Sequence, residues 1–473
     1  MKAIKYLLIG VLVSAFGTPL AAQEDTKAVI EQIAKVIKSK ASNTDSQVKE
    51  LFKPYKKDVT VMVGIGRAYL DVKDTLNAQK YADMAMKRDK TCGAAYVLAG
   101  DIEVAKDNGG AAAAWFEQAV YFEPKNPEGY RRYAQINSKA NPNLSVEMLE
   151  RLREQRPDYP VDIISAEIYD RAGQIGKALE YYSKVDKAKM NEYQLANYAT
   201  DYYLKGEFEK SLEVSQFANQ KYPRNAGLNR VTFYNLTDLK RYDEAVKAAD
   251  VFFNQSDSLK VTENDYLYKG HACLGVKDYP ASLDAFQKVS EVNPENVDCI
   301  ISAQKGIVKV YQGSEDYPNA IAAQEKYLTM AKKITATDYY ELALLYVGMS
   351  ETVPAEEKAE VVNKADAVYG QLAEKFPSAA DFATVQRAHL AFTLDPESTE
   401  GLAKPHYEKL IEIIKSHSEK GERDDERLVE AYRYMGYYYL LHDDKANADI
   451  YWQKVLEIEP DHEGAKQALG ISE

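Results

Sequence analysis

The strongest constraint in this sequence is a period. A small residue recurs at Gly66, Gly100, Ala134, Ala166 and Ala199, at intervals of 34, 34, 32 and 33 residues. The equivalent position continues at Phe233, Gly270, Val308, Ala343, Gln386 and Gly436, with intervals that lengthen toward the end. A spacing this steady predicts a stack of like helix pairs, each burying its apolar face on its neighbours. Length alone, 473 residues, would have allowed two to four unrelated domains.

Residues 93–126 show the unit most fully. Tyr96, Ala99, Gly100 and Glu103 fall at i, i+3, i+4 and i+7, which is one stripe of a helix. Ala112, Phe116 and Ala119 form the facing stripe of a second helix, and Pro124 ends it. Small residues let the two helices approach, while the aromatics fill the gaps between pairs. Other full copies carry Tyr266, Gly270, Phe286 and Pro294, and Tyr432, Gly436, Tyr439, Trp452 and Pro460.

This order of aromatic, Leu-Gly, Tyr, Ala, Phe and Pro resembles the tetratricopeptide repeat, with Glu103 standing where the family has Tyr. The resemblance covers roughly residues 59–470. It implies an all-α, right-handed solenoid of about eleven antiparallel helix pairs with a cap at each end. The expected organisation is a signal peptide at 1–22, a helical cap at 23–58 and a regular array at 59–335. An irregular array with inserted loops follows at 336–460, then a capping helix at 461–473. Two superhelical blocks are expected to meet near 335–380.

The N-terminus reads as an export signal. Lys2 and Lys5 precede an apolar run from Tyr6 to Phe16, and Gly17, Thr18 and Pro19 break it before Ala21 and Ala22. Cleavage after Ala22 would leave Gln23 first, and no cysteine stands there to take a lipid. The chain is expected to resemble exported bacterial repeat proteins, periplasmic or secreted, with no membrane span after cleavage. Its formal charge of -13 argues against nucleic acid and anionic bilayers as partners. Only Cys92, Cys273 and Cys299 occur, an odd number without a C-x-x-C pair, so neither a disulfide framework nor a thiolate metal site is expected.

No catalytic motif stands out, and no cofactor or metal is expected. Gly173-Gln174-Ile175-Gly176-Lys177 lacks phosphate-loop spacing, has Ala178 in place of the hydroxyl residue, and follows no strand. It reads as an inter-helix turn. The 36 tyrosines are accounted for mainly by the aromatic stacking positions.

The family resemblance implies that ligands bind on the concave face, lined by the first helix of each pair. If the aromatic and small positions point into the stack, the residue after each is rotated by about 100° and lies on one stripe. Of the 22 positions so defined, seven are basic: Arg67, Arg131, Arg230, Lys305, Lys309, Arg387 and Arg433. Asp101 and Glu167 are acidic, and Gln135, Tyr234, His271, Tyr340 and Tyr437 are among the polar and aromatic members. This bias runs against the acidic background and predicts a groove for a protein or peptide with an acidic segment. The carboxylate clamp of some family members is not carried over, because Val63, Arg67 and Leu98 stand in its first units. The expected function is a non-catalytic scaffold or adaptor. The alternatives are a glycan-binding component of an outer-membrane uptake system and an enzyme with a helical-repeat body.

Overall fold

A computed structural model describes residues 20–419 and 421–471. The signal-peptide reading of 1–22 therefore falls almost wholly outside the described residues. Among the described residues there are 25 α-helices, and the one β-type contact is an isolated bridge between Asn225 and Asp257.

Helices α1 (Leu20–Ser39) and α2 (Thr44–Phe52) come first. Pairs follow, whose members we term the A and B helix: α3 (Val59–Asp71) with α4 (Thr75–Arg88), and α5 (Gly93–Ala105) with α6 (Gly109–Phe122). Next are α7 (Pro127–Asn137) with α8 (Pro142–Gln155), α9 (Val161–Arg171) with α10 (Ile175–Tyr182), and α11 (Glu192–Leu204) with α12 (Phe208–Lys221). Then come α13 (Ala226–Asp238) with α14 (Tyr242–Gln255), and α15 (Glu263–Gly275) with α16 (Tyr279–Val292). These are followed by α17 (Val297–Gly313) with α18 (Tyr317–Met330), and α19 (Ala336–Thr352) with α20 (Ala355–Lys375). The last are α21 (Ala380–Leu394) with α22 (Lys404–Lys415), α23 (Asp424–Leu441) with α24 (Lys445–Ile458), and the single α25 (Glu463–Leu469). The chain forms two compact units, divided between Ala218 and Asn219 inside α12. No described helix is long and apolar enough to cross a membrane.

Local chemistry explains why each pair forms. Six of the eleven B helices open on a side-chain cap: Asp74, Asn108, Asn141, Asp278, Asp316 and Asp444 each accept from a backbone N–H of the first turn. The turn before them carries a left-handed residue seven positions after the small slot, at Lys73, Asp107, Gly173, Gly206, Lys240, Lys277, Glu315 and Asp443. Only two of these eight are glycine, so a sequence search for turn glycines misses the device.

Packing then uses the small slot as expected. A Cβ on Gly270 would meet Phe286 at 2.5 Å, and one on Gly436 would meet Trp452 at 2.7 Å. Where the B helix carries serine in its alanine slot, the hydroxyl donates to the carbonyl of the A-helix slot: Ser145 to Ala134, Ser211 to Ala199, and Ser282 to Gly270. Those serines are buried at no unmet polar cost.

One register differs from expectation. In α21 the fully buried small residue is Ala388, Ala383 is also fully buried, and Gln386 is half-buried. The 21-residue α20 (Ala355–Lys375) stretches the interval that leads from Ala343 to α21, and burial sets the register two residues later than the spacing suggested. The loop that follows α21 folds around Asp395, whose carboxylate accepts from the backbone N–H groups of Thr399, Glu400, Gly401 and Leu402.

Candidate functional site

Successive A helices lie beside one another within each unit: α3 against α5, α5 against α7, α13 against α15, and α15 against α17. The stripe that runs along them is the candidate binding face, though Val63 and the predicted site residue Tyr234 are buried in it, and it is tied together by polar bonds between neighbouring pairs.

In the first unit Arg67 donates to Asp101 at 2.8 Å, and Arg132 reaches the same carboxylate at 3.6 Å. Arg131 pairs with Glu128 on its own helix at 2.7 Å, and Gln135 is exposed. Glu167 accepts from Arg171 at 2.9 Å and from Gln194 of the next A helix at 2.7 Å.

In the second unit the links are more deeply set. Asp265 is 0% exposed and accepts two bonds from Arg230, at 2.7 and 2.9 Å. The same carboxylate accepts from the Tyr234 hydroxyl at 2.8 Å and from Thr262 of its own capping box. Burial first, then the Asp265 charge, pushes the Tyr234 phenol well above its ordinary range. Asp338 repeats the device, with Thr335 as cap and Lys305 donating at 3.0 Å. Burial opposes ionisation of Asp338, yet the Thr335 and Lys305 hydrogen bonds hold its carboxyl below the usual range. The Lys305 ammonium also sits 4.6 Å from the Tyr327 ring centroid.

His271 is half-buried with its ring edge-on to Phe286, and burial followed by nearby Lys309 lowers its imidazole pKa. Tyr340 packs its ring against Phe382 and Tyr369. Tyr437 and Arg433 are exposed on α23, as is Lys309 on α17.

The structure thus alters the electrostatic picture drawn from sequence. Arg67, Arg131, Arg230 and Lys305 are each engaged by a carboxylate of this chain. Arg387 is not on the stripe: it makes a two-bond pair with Asp366 of the preceding B helix, a consequence of the shifted register in α21. Among the described residues, no carboxylate lies within the 4.0 Å ion-pair distance of Lys309 or Arg433. Of the acids that neutralise the stripe, Asp101 is a member of it, while Glu128, Asp265 and Asp338 lie at other positions of the A helices. A capping-box pattern, Thr-x-x-Asp at 262–265 and 335–338, was the available signal for two of them.

His389 was also missed, and it occupies the stripe position of α21 that the shifted register vacates for it. Its Nε2 lies 2.6 Å from Glu430 on α23, and Tyr407 donates to the same Glu430 oxygen at 2.8 Å. The Glu430 hydrogen bond raises the His389 pKa against its partial burial. The three thiols are free, with Cys273 and Cys299 buried. An open groove of about 500 Å³ lies among α14, α15 and α16, lined by Asp250, Phe253, Tyr266, Lys269 and Cys273. Among the described residues no group of three His, Cys, Asp or Glu side chains is placed to hold a metal ion.

Neither a family model nor a curated protein matches this chain. Solved structures are similar to it. The C-terminal part of a TPR repeat-containing protein from Cytophaga hutchinsonii aligns at 24% identity and TM-score 0.44, over 58% of this chain and 99% of that one. A tetratricopeptide repeat protein from Parabacteroides merdae aligns at 13% identity and TM-score 0.32, over 52% of this chain and 98% of its own. YrrB, described as a TPR protein with an unusual peptide-binding site, aligns at 20% identity and TM-score 0.31, over 38% of this chain and 94% of its own.

Proposed function

We propose that this array of tetratricopeptide-type helix pairs is an exported, non-catalytic scaffold that holds a protein or peptide partner along its A-helix face. The observation that carries the reading is the form of that face. Side chains not used in stacking stand side by side on successive A helices and are pinned across pair boundaries by Arg67–Asp101, Arg230–Asp265 and Lys305–Asp338. Within each unit a preorganised surface of this kind suits a polypeptide and spares the ordering entropy that a loose surface would lose on binding. Its unpaired cations, Lys309 and Arg433, favour an acidic stretch in the partner. The basic, apolar and small-residue order of residues 1–22 supports export to the periplasm or beyond.

Two measurements test the reading. The mature protein's intact mass should begin at Gln23; a product that retains Lys2 and Lys5 would remove export. A photo-crosslinking residue at Gln135 or Lys309 should give protein adducts in the envelope fraction, while one at Gln118 of the B helix α6 should not. Equal adducts from both faces, or none from either, would refute the A-face scaffold.

A further inference from the structure

We infer that the groove among α14, α15 and α16 is a binding site for a small monocarboxylic acid with an apolar body, its carboxylate held by Lys269. The groove lies between two B helices, so the inference stands apart from the A-face scaffold reading. Lys269 occupies the position just before the small slot Gly270 and is half-buried there. Most other pairs place an uncharged, buried residue at that point, among them Ile65, Ala99, Ser165, Leu342 and Met435. Across the eleven pairs a cation stands there only at Lys269 and at Arg387, which precedes the slot Ala388.

Arg387 has its counter-charge within the chain. Its guanidinium makes two bonds, at 2.7 and 2.9 Å, to Asp366, the residue after the alanine slot Ala365 of the preceding B helix. The corresponding residue of α14, after Ala245, is Val246, and it lines the groove. Lys269 therefore lacks the partner that Arg387 has, and among the described residues no carboxylate lies within 4.0 Å of its ammonium. It has an aromatic wall instead: Lys269 Nζ sits 5.0 Å from the Phe253 ring centroid, and Phe253 packs on Tyr266. A half-buried ammonium has lost part of its hydration, and an incoming carboxylate restores it a charge-assisted hydrogen bond.

A second groove of the same kind serves as an internal comparison. Among α18, α19 and α20, Tyr339, Leu342 and Tyr346 line it at the positions that Tyr266, Lys269 and Cys273 hold here. It measures about 320 Å³ against about 500 Å³. There the Tyr346 ring takes up space and its hydroxyl donates to Glu325, while Lys375 donates to the Tyr339 hydroxyl. The smaller Cys273 leaves room, and Lys269 adds the charge that Leu342 lacks. Room, an aromatic wall and one placed cation are what a small apolar acid needs. The remaining charges limit the ligand to a single carboxylate. Asp250 and Asp278 also line the groove, Asp250 accepting from Asn254 at 2.6 Å and Asp278 from the Ala281 backbone at 3.1 Å. Lys288, the other cation of the lining, is paired with Asp284 at 2.6 Å. One uncompensated ammonium beside two carboxylates suits a monoanion and disfavours a phosphate or a dicarboxylate.

The probe is 3-phenylpropionate, with 3-phenylpropionamide as its neutral twin, each titrated into the purified protein by isothermal calorimetry. The acid should bind about tenfold more tightly than the amide, the effect of one charge-assisted contact. Lys269→Leu should remove that preference. Val246→Asp should remove it too, by giving Lys269 the counter-charge that Arg387 finds in Asp366. Cys273→Tyr should block both ligands by narrowing the groove as Tyr346 does. Each substitution copies a residue that the equivalent position of another pair already accommodates, and circular dichroism melting identifies any variant that fails to fold, leaving the other two to decide. Equal affinity for the twins, acid affinity unchanged by Lys269→Leu, or no binding of the acid at millimolar concentration would overturn the inference. Tighter binding of phenylphosphonate than of the acid would overturn the monocarboxylate assignment. Binding of a Glu-Phe peptide without binding of the free acid would give the groove to a polypeptide and overturn it as well.

Discussion

Asp201 of α11 is 3% exposed, and its Oδ2 has no hydrogen-bond partner among the described residues. Burial first, then the charge of Asp170 on α9, pushes its carboxyl up from 3.8 to about 7. Asp170 is itself raised by burial, although Asn197 donates to it. A group that keeps its proton longer folded than unfolded stabilises the fold most below the unfolded pKa, and that contribution is lost as pH rises through the folded one. At 1.36 kcal/mol per unit, the raised pKa of Asp201 costs about 2 kcal/mol at pH 5, where the unfolded chain has lost the proton that the folded protein keeps, and about 4 kcal/mol at pH 8, where the buried carboxylate is ionised. Asp201→Asn removes the titration and keeps the shape. Urea unfolding of both proteins at pH 5 and pH 8 should therefore show the variant's advantage growing by about 2–3 kcal/mol across that range. Histidines that titrate in the same window, among them His271 and His389, are present in both proteins and cancel in the difference. A difference constant with pH, or a variant less stable at pH 8, would refute the assignment of Asp201 as a buried carboxylic acid.

Arg230→Glu should destabilise the fold by about 3–5 kcal/mol in urea unfolding, because it leaves the fully buried Asp265 facing a second carboxylate. Arg131→Glu should change stability by less than about 0.5 kcal/mol, since its pair with Glu128 is exposed. Gly270→Ala should cost about 1–3 kcal/mol in thermal unfolding, as the new methyl meets Phe286. Lys277→Gly, at a left-handed turn residue with φ 61°, should raise stability by about 0.5–1 kcal/mol. Thiol titration of the denatured mature protein should count three free cysteines, and the native protein should react slowly at Cys273 and Cys299, where burial raises the thiol pKa.

The repeat was legible because close packing constrains residue size at fixed intervals. Gly100, Gly270 and Gly436 each face an aromatic ring sixteen residues on, and no larger residue fits there. The pairing of helices, their caps and their number follow from patterns that act within about forty residues. The tenth unit was misread where that logic weakens: a B helix of 21 residues lengthened the interval before it, and only burial of Ala388 reveals the register.

Charge on the A-helix stripe was not legible in the same way. A basic residue count says nothing of where its counter-charges lie, and Asp265, Asp338 and Glu128 sit off the stripe by sequence position yet against it in space. The exposure of individual side chains such as Leu344, Phe392, Tyr437 and Leu440 was hidden for a related reason. In an array whose cores are rich in leucine and aromatics, composition does not tell a stacking side chain from one that faces water. Local periodicity, carried by covalent spacing and steric size, determined the architecture. Exposure and ion pairing depend on neighbours from other pairs, so only the tertiary structure decided which side chains remain free to bind.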